Sequence, residues 1–282
     1  VALGYSLLAG IGNGIFSSIV AIGLLPFLES LFKVTTAITL LELSNPNHPL
    51  LKELLLKAPG TYYHSMMVSN LSESAAESVQ ANALLTRVGA YYHDIGKLKR
   101  PYFFSENQLS GENPHSKLSP NLSALIIGSH PKDGLELGQK YALPEAILDI
   151  AMQHHGTSMI SFFYQKALEN NSCREEISAD KFRYEGPKPQ SKEAAIIMLA
   201  DAVEAGVRSL SKPSSSRVEV MIRRMIKEKL EDGQLDQSDL TMKELDQIAE
   251  SFVYIMSGIY HSRIEYPEKD LKAELERSSA IK

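Results

Sequence analysis

Residues 90–108, AYYHDIGKLKRPYFFSENQ, place an imidazole, a carboxylate and a basic turn within a few positions of one another. His93 and Asp94 stand side by side at the end of a helical pattern, and Gly96 then interrupts that pattern. Three cations follow, beginning with Lys97. The stretch predicts a site where a carboxylate and an imidazole act next to a positive charge.

More histidines and a second aspartate fall on the apolar faces of other predicted helices. In TYYHSMMVSNLSESAAESV, residues 61–79, the apolar stripe continues one turn back to His64. Similar stripes pass through His130, His154 with its neighbour His155, and Asp201. One inward histidine is usually a hydrogen-bonded core residue, but an inward carboxylate is unfavourable unless it is paired or bound to a cation. Together these residues predict a shared metal site.

The chain beyond Glu29 has the pattern of amphipathic helices, with no sustained alternation of the kind typical of strands. We therefore predict an all-α fold. The helix predicted over 119–141 is expected to bend at Pro131. The polar stretch 169–190 is too long for an ordinary connection between helices, which makes it either a functional lid or a mobile segment. Thr241 and Glu244 form a capping box at the last helix.

Residues 1–28, VALGYSLLAGIGNGIFSSIVAIGLLPFL, contain no Asp, Glu, Lys, Arg or His. A helix needs about 20 mostly apolar residues to cross a bilayer, so we interpret this stretch as a transmembrane helix. Gly10 and Gly14 would let another helix approach closely. The alternative is a buried helix of a soluble protein, because Asn13 and several serines dilute the apolarity. A signal peptide is disfavoured because a basic segment is missing, and the start at Val1 is expected to mark a fragment.

Composition and charge limit the class of protein. The 282 residues, 44% hydrophobic and 22% charged, suffice for one large globular domain or two small ones. One cysteine, Cys173, excludes an intramolecular disulfide framework and suits a reducing compartment. The net charge of -5 argues against a protein that coats long nucleic acid, whereas a small anionic ligand held by a local basic patch remains compatible.

Taken in chain order, the inward residues resemble the metal-ligand series of the HD-domain phosphohydrolases. The series is His64, His93, Asp94, His130, His154, His155 and Asp201. Segments such as HPLLKELLLKAPGTYYHS, NPHSKLSPNLSALII and GPKPQSKEAAIIMLADAVEA resemble the soluble part of the seven-transmembrane HD proteins of the PgpH type. These are bacterial membrane phosphodiesterases that hydrolyse cyclic di-AMP to pApA. The resemblance covers about residues 24–270.

The resemblance implies an HD-domain helical bundle preceded by one transmembrane helix. Residues 1–28 would be the last membrane helix of a longer membrane region, 29–47 a connector and 48–282 the HD phosphohydrolase domain. The protein would lie in the inner or plasma membrane of a bacterium, with the catalytic domain in the cytoplasm.

The resemblance also implies a site for two metal ions, with Asp94 as the bridge, since a carboxylate can ligate two cations and an imidazole cannot. His64, His93 and Asp201 would complete one ion. The other ion would take His130, His154 and His155. Mixed nitrogen and oxygen ligands suit manganese or iron. A hydroxide between the ions would attack phosphorus in line.

Two residues near this set have a predicted contact with substrate. Lys97 would stabilise charge on the scissile phosphate, with the neutralisation of a helix dipole as its alternative role. Tyr184, in KFRYEGPKPQ, would stack on adenine, with coverage of the core as its alternative. The remaining histidines, His48, His115 and His261, are expected to be structural.

The predicted function is a metal-dependent phosphodiesterase that converts cyclic di-AMP to pApA. One alternative is a catalytically silent receptor output domain that binds a nucleotide; it predicts broken ligand positions, and none is broken. Another is an HD hydrolase of cyclic di-GMP or of a nucleotide. The cyclic di-GMP form should carry Gly-Tyr-Pro after the paired histidines, where this chain has HHGTSMISFFYQKA. The base rests on the resemblance alone, and the oligomeric state stays open, with a homodimer as one option.

Overall fold

The computed structural model describes residues 2–32, 34–108, 113–170 and 177–259. Within these ranges the chain is helical and contains no strand; one isolated β-bridge joins Met159 and Arg183. The prediction of an all-α fold is therefore confirmed. Cys173 and His261 lie outside the described residues.

The described part contains twelve α-helices, joined in places by short 3₁₀ turns. They are α1 (Ala2–Phe32), α2 (Ala37–Leu43), α3 (Pro49–Lys57), α4 (Pro59–Ser78), α5 (Ala83–Tyr92), α6 (Pro120–Gly128), α7 (His130–Lys140), α8 (Glu145–Gln153), α9 (Ser161–Glu169), α10 (Lys192–Arg208), α11 (Ser215–Glu231) and α12 (Met242–Ile259).

Side chains at the helix starts explain several of these boundaries. Asn82 accepts a hydrogen bond from the backbone N–H of Leu85 at the start of α5. The predicted capping box at α12 is confirmed: Thr241 Oγ1 accepts from the N–H of Glu244 at 3.2 Å, and Glu244 Oε2 accepts from the N–H of Thr241 at 2.8 Å. These bonds satisfy backbone donors that have no partner inside the helix.

The helix predicted over 119–141 is two helices, and the prediction of a single bent helix was wrong. α6 ends at Gly128 and α7 begins at His130, with Ser129 between them. Pro131 lies in the first turn of α7, where a proline has no N–H bond to lose and its fixed φ suits the helix. The break moves His130 to the start of its own helix.

Helix α4 lies at the centre of the bundle and packs against α3, α5, α10 and α12. Its apolar side chains Val68 and Leu71 join a core that includes Ile197 of α10 and Phe252 of α12, all of them fully buried. The burial of each such side chain stabilises the fold by about 1.5 to 3 kcal/mol. The N-terminal half of the same helix turns polar groups inward, beginning with Thr61.

Helix α1 stands apart from this core in composition and burial. Its segment Ala2–Leu25 is long and apolar enough to cross a membrane by length and composition, with a mean hydropathy of 1.8. None of that segment is buried inside the protein, so the structure gives no support to the alternative of a buried core helix. The helix continues to Phe32, four residues beyond the predicted end at 28.

Candidate functional site

The structure brings the seven inward residues together in one cluster, which we call the candidate metal centre. Two groups of side chains each place their ligand atoms within 4.8 Å of one another, and Asp94 belongs to both groups. The groups are Asp94, His130, His154 and His155, and His64, His93 and Asp94. Asp201 borders both, since its carboxylate lies 3.0 Å from His64 Nε2 and 3.6 Å from His155 Nδ1.

Helix ends position most of these side chains. His93 and Asp94 follow the last residue of α5, His130 opens α7, and His154 follows the last residue of α8. The ends of α5 and α8 and the start of α7 thus bring their side chains to one place. His64 on α4 and Asp201 on α10 come instead from helix interiors.

The close packing of two turns explains the need for glycine after the His-Asp pair. A Cβ atom on Gly96 would lie 1.9 Å from the carbonyl oxygen of His130 and 2.5 Å from the backbone nitrogen of Gly134. No side chain fits in that space, and both neighbours are backbone atoms that cannot turn aside. The glycine therefore lets the turn that carries Asp94 lie against the first turn of α7.

The two oxygens of Asp94 face different pairs of histidines. Oδ2 lies 3.5 Å from His64 Nε2 and 3.3 Å from His93 Nε2. Oδ1 lies 3.2 Å from His130 Nε2 and 3.6 Å from His154 Nε2. The carboxylate is 1% exposed, so water is excluded from this arrangement. A carboxylate shared between two nitrogen pairs has the geometry of a bridge between two cations.

The buried donor atoms have unused hydrogen-bonding capacity. Both oxygens of Asp94 and the Nε2 atoms of His64 and His93 are buried without a hydrogen-bond partner of good geometry. Unsatisfied buried polar atoms are costly, and a cation among them would remove that cost. This mixture of imidazole and carboxylate donors fits a divalent transition metal.

The outer nitrogen of three histidines is held by the backbone. Nδ1 of His93, His130 and His154 lies 2.7, 2.7 and 2.8 Å from a carbonyl oxygen three residues earlier. A carbonyl only accepts, so Nδ1 carries the proton and the lone pair of Nε2 faces the centre. Such bonds set the tautomer and the ring orientation of metal-ligating histidines.

Burial and charge give Asp94, His154 and His155 the protonation states that metal ligands need. Burial alone would raise the pKa of Asp94, but Lys97 and the surrounding histidines hold it well below its usual range. Burial lowers the pKa of His154 to about 4 and, together with the neighbouring His154, holds that of His155 well below its usual value. The carboxylate is thus ionised and these two imidazoles are neutral at pH 7.

Lys97 points into the centre. Its Nζ lies 2.7 Å from Asp94 Oδ2 and 2.8 Å from Glu106 Oε1, and 5.0 Å from the centroid of the Phe104 ring. The ammonium therefore lies against the carboxylate that the two groups of side chains share. The next two cations of the turn pair with Asp133 instead.

Comparison with known proteins agrees with this geometry. The HD domain family matches residues 61–206, which is more than half of the chain. The chain belongs to the HD domain family. A second family, described as a 7TM receptor with intracellular HD hydrolase, matches residues 1–36. This match and the exposed apolar helix α1 indicate a membrane location.

Named relatives are similar over almost all of this chain. The cyclic-di-AMP phosphodiesterase PgpH of Bacillus subtilis (strain 168) is 54% identical over 272 residues, which are 96% of this chain and 38% of the relative. The protein of the same name from Listeria monocytogenes serotype 1/2a (strain 10403S) is 48% identical over 268 residues, 95% of this chain and 36% of that protein. The chain therefore spans less than two fifths of the length of these relatives.

A solved structure is similar in fold as well. The HD domain of the L. monocytogenes phosphodiesterase PgpH in complex with cyclic-di-AMP is 50% identical, with a TM-score of 0.73. The match covers 77% of this chain and all of that one.

Tyr184 lies over one side of the candidate metal centre. Its ring stacks on that of His155 with a centroid distance of 4.2 Å and an interplanar angle of 23°. His155, a proposed ligand, thus covers one face of the Tyr184 ring. Only the other face is left for the predicted stacking on adenine. Of the polar stretch 169–190, predicted to be a functional lid or a mobile segment, residues 171–176 lie outside the described part. The segment that carries Tyr184 packs against the centre.

Sequence reasoning missed two glutamates at the candidate metal centre, Glu204 and Glu106. Glu204 Oε2 lies 2.7 Å from His64 Nδ1, and its other oxygen accepts from Arg208 at 3.1 Å. Glu204 follows Asp201 by three positions on α10, so helical spacing alone could have placed both on one face. Glu106 comes from the 3₁₀ turns after α5, and no local pattern marks it.

The other described histidines lie outside the metal centre, as expected. His48 Nδ1 accepts from the backbone N–H of Leu50 at the start of α3. His115 Nε2 lies 2.9 Å from the carbonyl oxygen of Phe103, and its ring packs on Phe163. Both histidines therefore make structural contacts. Neither belongs to the two groups of side chains that contain Asp94.

Proposed function

We propose that this HD domain hydrolyses cyclic di-AMP to pApA with two divalent metal ions. The observation that carries the proposal is the arrangement around Asp94, whose two oxygens each face a separate pair of histidine Nε2 atoms. The substrate class comes from the similar proteins and from the cyclic-di-AMP complex of a related HD domain. Water adds across one P–O3′ bond, and the departing 3′ oxygen takes up a proton.

The proposed ligand sets follow the two groups of side chains. Asp94 would be shared, His64, His93 and Asp201 would hold one ion, and His130, His154 and His155 would hold the other. When bound, manganese or iron ions would lower the pKa of a water nucleophile and neutralise charge on the phosphate. The protein holds the imidazoles in the required tautomer through their Nδ1 bonds.

Lys97 is the residue proposed to stabilise charge on the scissile phosphate. Its side chain is 12% exposed, and its ammonium lies against Asp94, which is where the reacting group must sit. Glu106 holds the ammonium from the other side at 2.8 Å. The position is thus set before substrate binds, and Lys97 need not reorganise during the reaction.

The domain order is part of the same proposal. Residues 1–28 would form the end of a membrane region, 29–47 a connector and 48–282 the catalytic domain on the cytoplasmic side. The exposed apolar segment Ala2–Leu25 and the family match over residues 1–36 support it.

A product assay tests the proposed function. The protein is incubated with Mn²⁺ and either cyclic di-AMP or cyclic di-GMP, and the products are separated by chromatography. We expect pApA from cyclic di-AMP, much slower turnover of cyclic di-GMP, and no product with Asp94→Ala. Preferred hydrolysis of cyclic di-GMP would assign the domain to the alternative HD hydrolases, and binding without turnover would favour the silent receptor.

A further inference from the structure

Lys229 on α11 is a partly buried cation without a carboxylate partner. Its Nζ donates one hydrogen bond, of 2.7 Å, to Ser158 Oγ. No carboxylate oxygen in the described residues forms an ion pair with it, whereas nearby Arg183 and Lys188 pair with Asp232 and Asp236. A charge withdrawn from water without a counter-ion is unfavourable, so its retention calls for an explanation.

Contacts of Ser158 place this ammonium at one edge of the metal centre. The backbone N–H of Ser158 donates to the carbonyl of His155 at 3.0 Å, and its carbonyl accepts from the N–H of Tyr184 at 3.0 Å. Ser158 thus lies between a proposed ligand and the ring that covers it. Lys229 reaches this serine from α11.

That edge is the most exposed part of the seven-residue centre. The side chains of His155 and Asp201 are 17% and 14% exposed, whereas that of Asp94 is 1% exposed. Burial lowers the pKa of Lys229, and Asp201 opposes this shift more strongly than the adjacent Asp232 does. The ammonium therefore lies within electrostatic range of Asp201, a proposed ligand, at the more exposed edge of the centre.

We propose that Lys229 binds the phosphodiester of the cyclic dinucleotide that is not being cleaved. This inference rests on the proposed function. The scissile phosphate must lie near Asp94, where Lys97 is already placed. A cyclic dinucleotide carries a second anionic phosphodiester on the opposite side of its ring. An unpaired ammonium at the more exposed edge of the site supplies the charge that this group needs.

A structural role for the Ser158 bond is the competing explanation, and other contacts weaken it. Gln234 Oε1 already accepts from the N–H of Thr157 at 2.9 Å, and its amide nitrogen donates to Thr157 Oγ1 at 3.0 Å. The backbone bonds to His155 and Tyr184 hold the next residue. The segment is therefore fixed without the lysine.

The test compares two substrates with one and two phosphodiesters. For Lys229→Met with Mn²⁺, the ratio of kcat/KM for cyclic di-AMP to kcat/KM for bis(p-nitrophenyl) phosphate should fall about ten- to a hundredfold, mainly through KM. Lys229→Arg keeps the charge and should recover most of the ratio. Lys227→Met is the matched control, since Lys227 is exposed on the same helix and pairs with Glu231 at 3.5 Å.

Ser158→Ala separates the two explanations. It removes the hydroxyl but leaves the ammonium, so the ratio should stay within about twofold of the wild-type value if Lys229 binds phosphate. An equal fall in Ser158→Ala and Lys229→Met would mean that the lysine only supports the segment. An unchanged ratio in Lys229→Met, or an equal loss on both substrates, would also overturn the proposal.

Binding distinguishes a failure of this inference from a failure of the proposed function. A wild-type protein that hydrolyses bis(p-nitrophenyl) phosphate but not cyclic di-AMP would remove the proposed function. Calorimetry with cyclic di-AMP then decides the role of Lys229. The wild-type protein should bind at least about tenfold more tightly than Lys229→Met. Equal affinities, or no binding to either protein, would refute the inference.

Discussion

His64 Nδ1 lies 2.7 Å from Glu204 Oε2. The Nδ1 atoms of His93, His130 and His154 contact backbone carbonyl oxygens, whereas that of His64 contacts a carboxylate. Burial by itself would lower the pKa of His64, but the adjacent carboxylates of Asp201 and Glu204 raise it to about 9. A carboxylate behind an imidazole makes its other nitrogen a stronger metal donor. Glu204 is therefore a positioning residue for the His64 side of the centre.

Replacement of Glu204 tests this relationship through metal affinity. Glu204→Gln keeps a hydrogen-bond acceptor but removes the charge, and we expect metal to bind about ten- to a hundredfold more weakly. The measurement is a calorimetric titration of metal-free protein with Mn²⁺. Glu228→Gln, an exposed glutamate paired with Arg224, is the control. Unchanged affinity in Glu204→Gln would contradict the role.

Asp94→Ala should remove more than one metal ion per chain. The carboxylate faces both histidine pairs, so its loss affects both proposed ions. Elemental analysis of protein purified without chelator gives the count. Asp133→Ala removes a carboxylate that pairs with Lys99 and Arg100 away from the centre, and it should keep its metal. Full metal content in Asp94→Ala would disprove the bridge.

Lys97→Met should lower kcat by about ten- to a thousandfold if the ammonium stabilises the phosphate in the transition state. Metal content should stay intact, since a lysine ammonium is not a metal ligand. Lys99→Met is the control, because Lys99 is half exposed and pairs with Asp133 and Glu136. A role limited to the helix dipole would instead change stability by about 0.3 to 1 kcal/mol and leave turnover nearly unchanged.

Gly96→Ala should destabilise the protein by at least about 2 kcal/mol, because the new Cβ would meet backbone atoms of His130 and Gly134. Thermal unfolding of the metal-free protein measures the effect. Gly128→Ala is the matched control, since the nearest atom to its Cβ is Ile160 Cδ1 at 3.5 Å. Equal midpoints for Gly96→Ala and the wild type would show that the two turns can separate without cost.

Acid should destabilise the metal-free protein through His154. Its pKa falls from 6.5 to about 4 on folding, so the unfolded chain binds more protons between these values. Stability is therefore unaffected by this group above pH 6.5 and decreases as the pH falls toward 4. In His154→Gln, the thermal midpoint should depend less on pH over this interval. Identical pH profiles for the two proteins would argue against a neutral, buried His154.

The sequence determined the parts of this protein that depend on helical phase. A period of 3.6 residues decides which side chains face inward, so the apolar stripe through Leu71 predicted the inward position of His64 before any packing was known. The same reasoning predicted the all-α fold and the capping box at Thr241, which depends on residues three positions apart.

Only the tertiary structure decided the contacts between distant segments. His64 and Glu204 are 140 positions apart, and Ser158 and Lys229 are 71 apart. Local patterns carry no information on which helix faces which, because that depends on how whole surfaces pack. The break at Ser129 has the same origin: Pro131 allows either a bend or a new helix, and the fit of α7 against the turn at Gly96 selects the new helix.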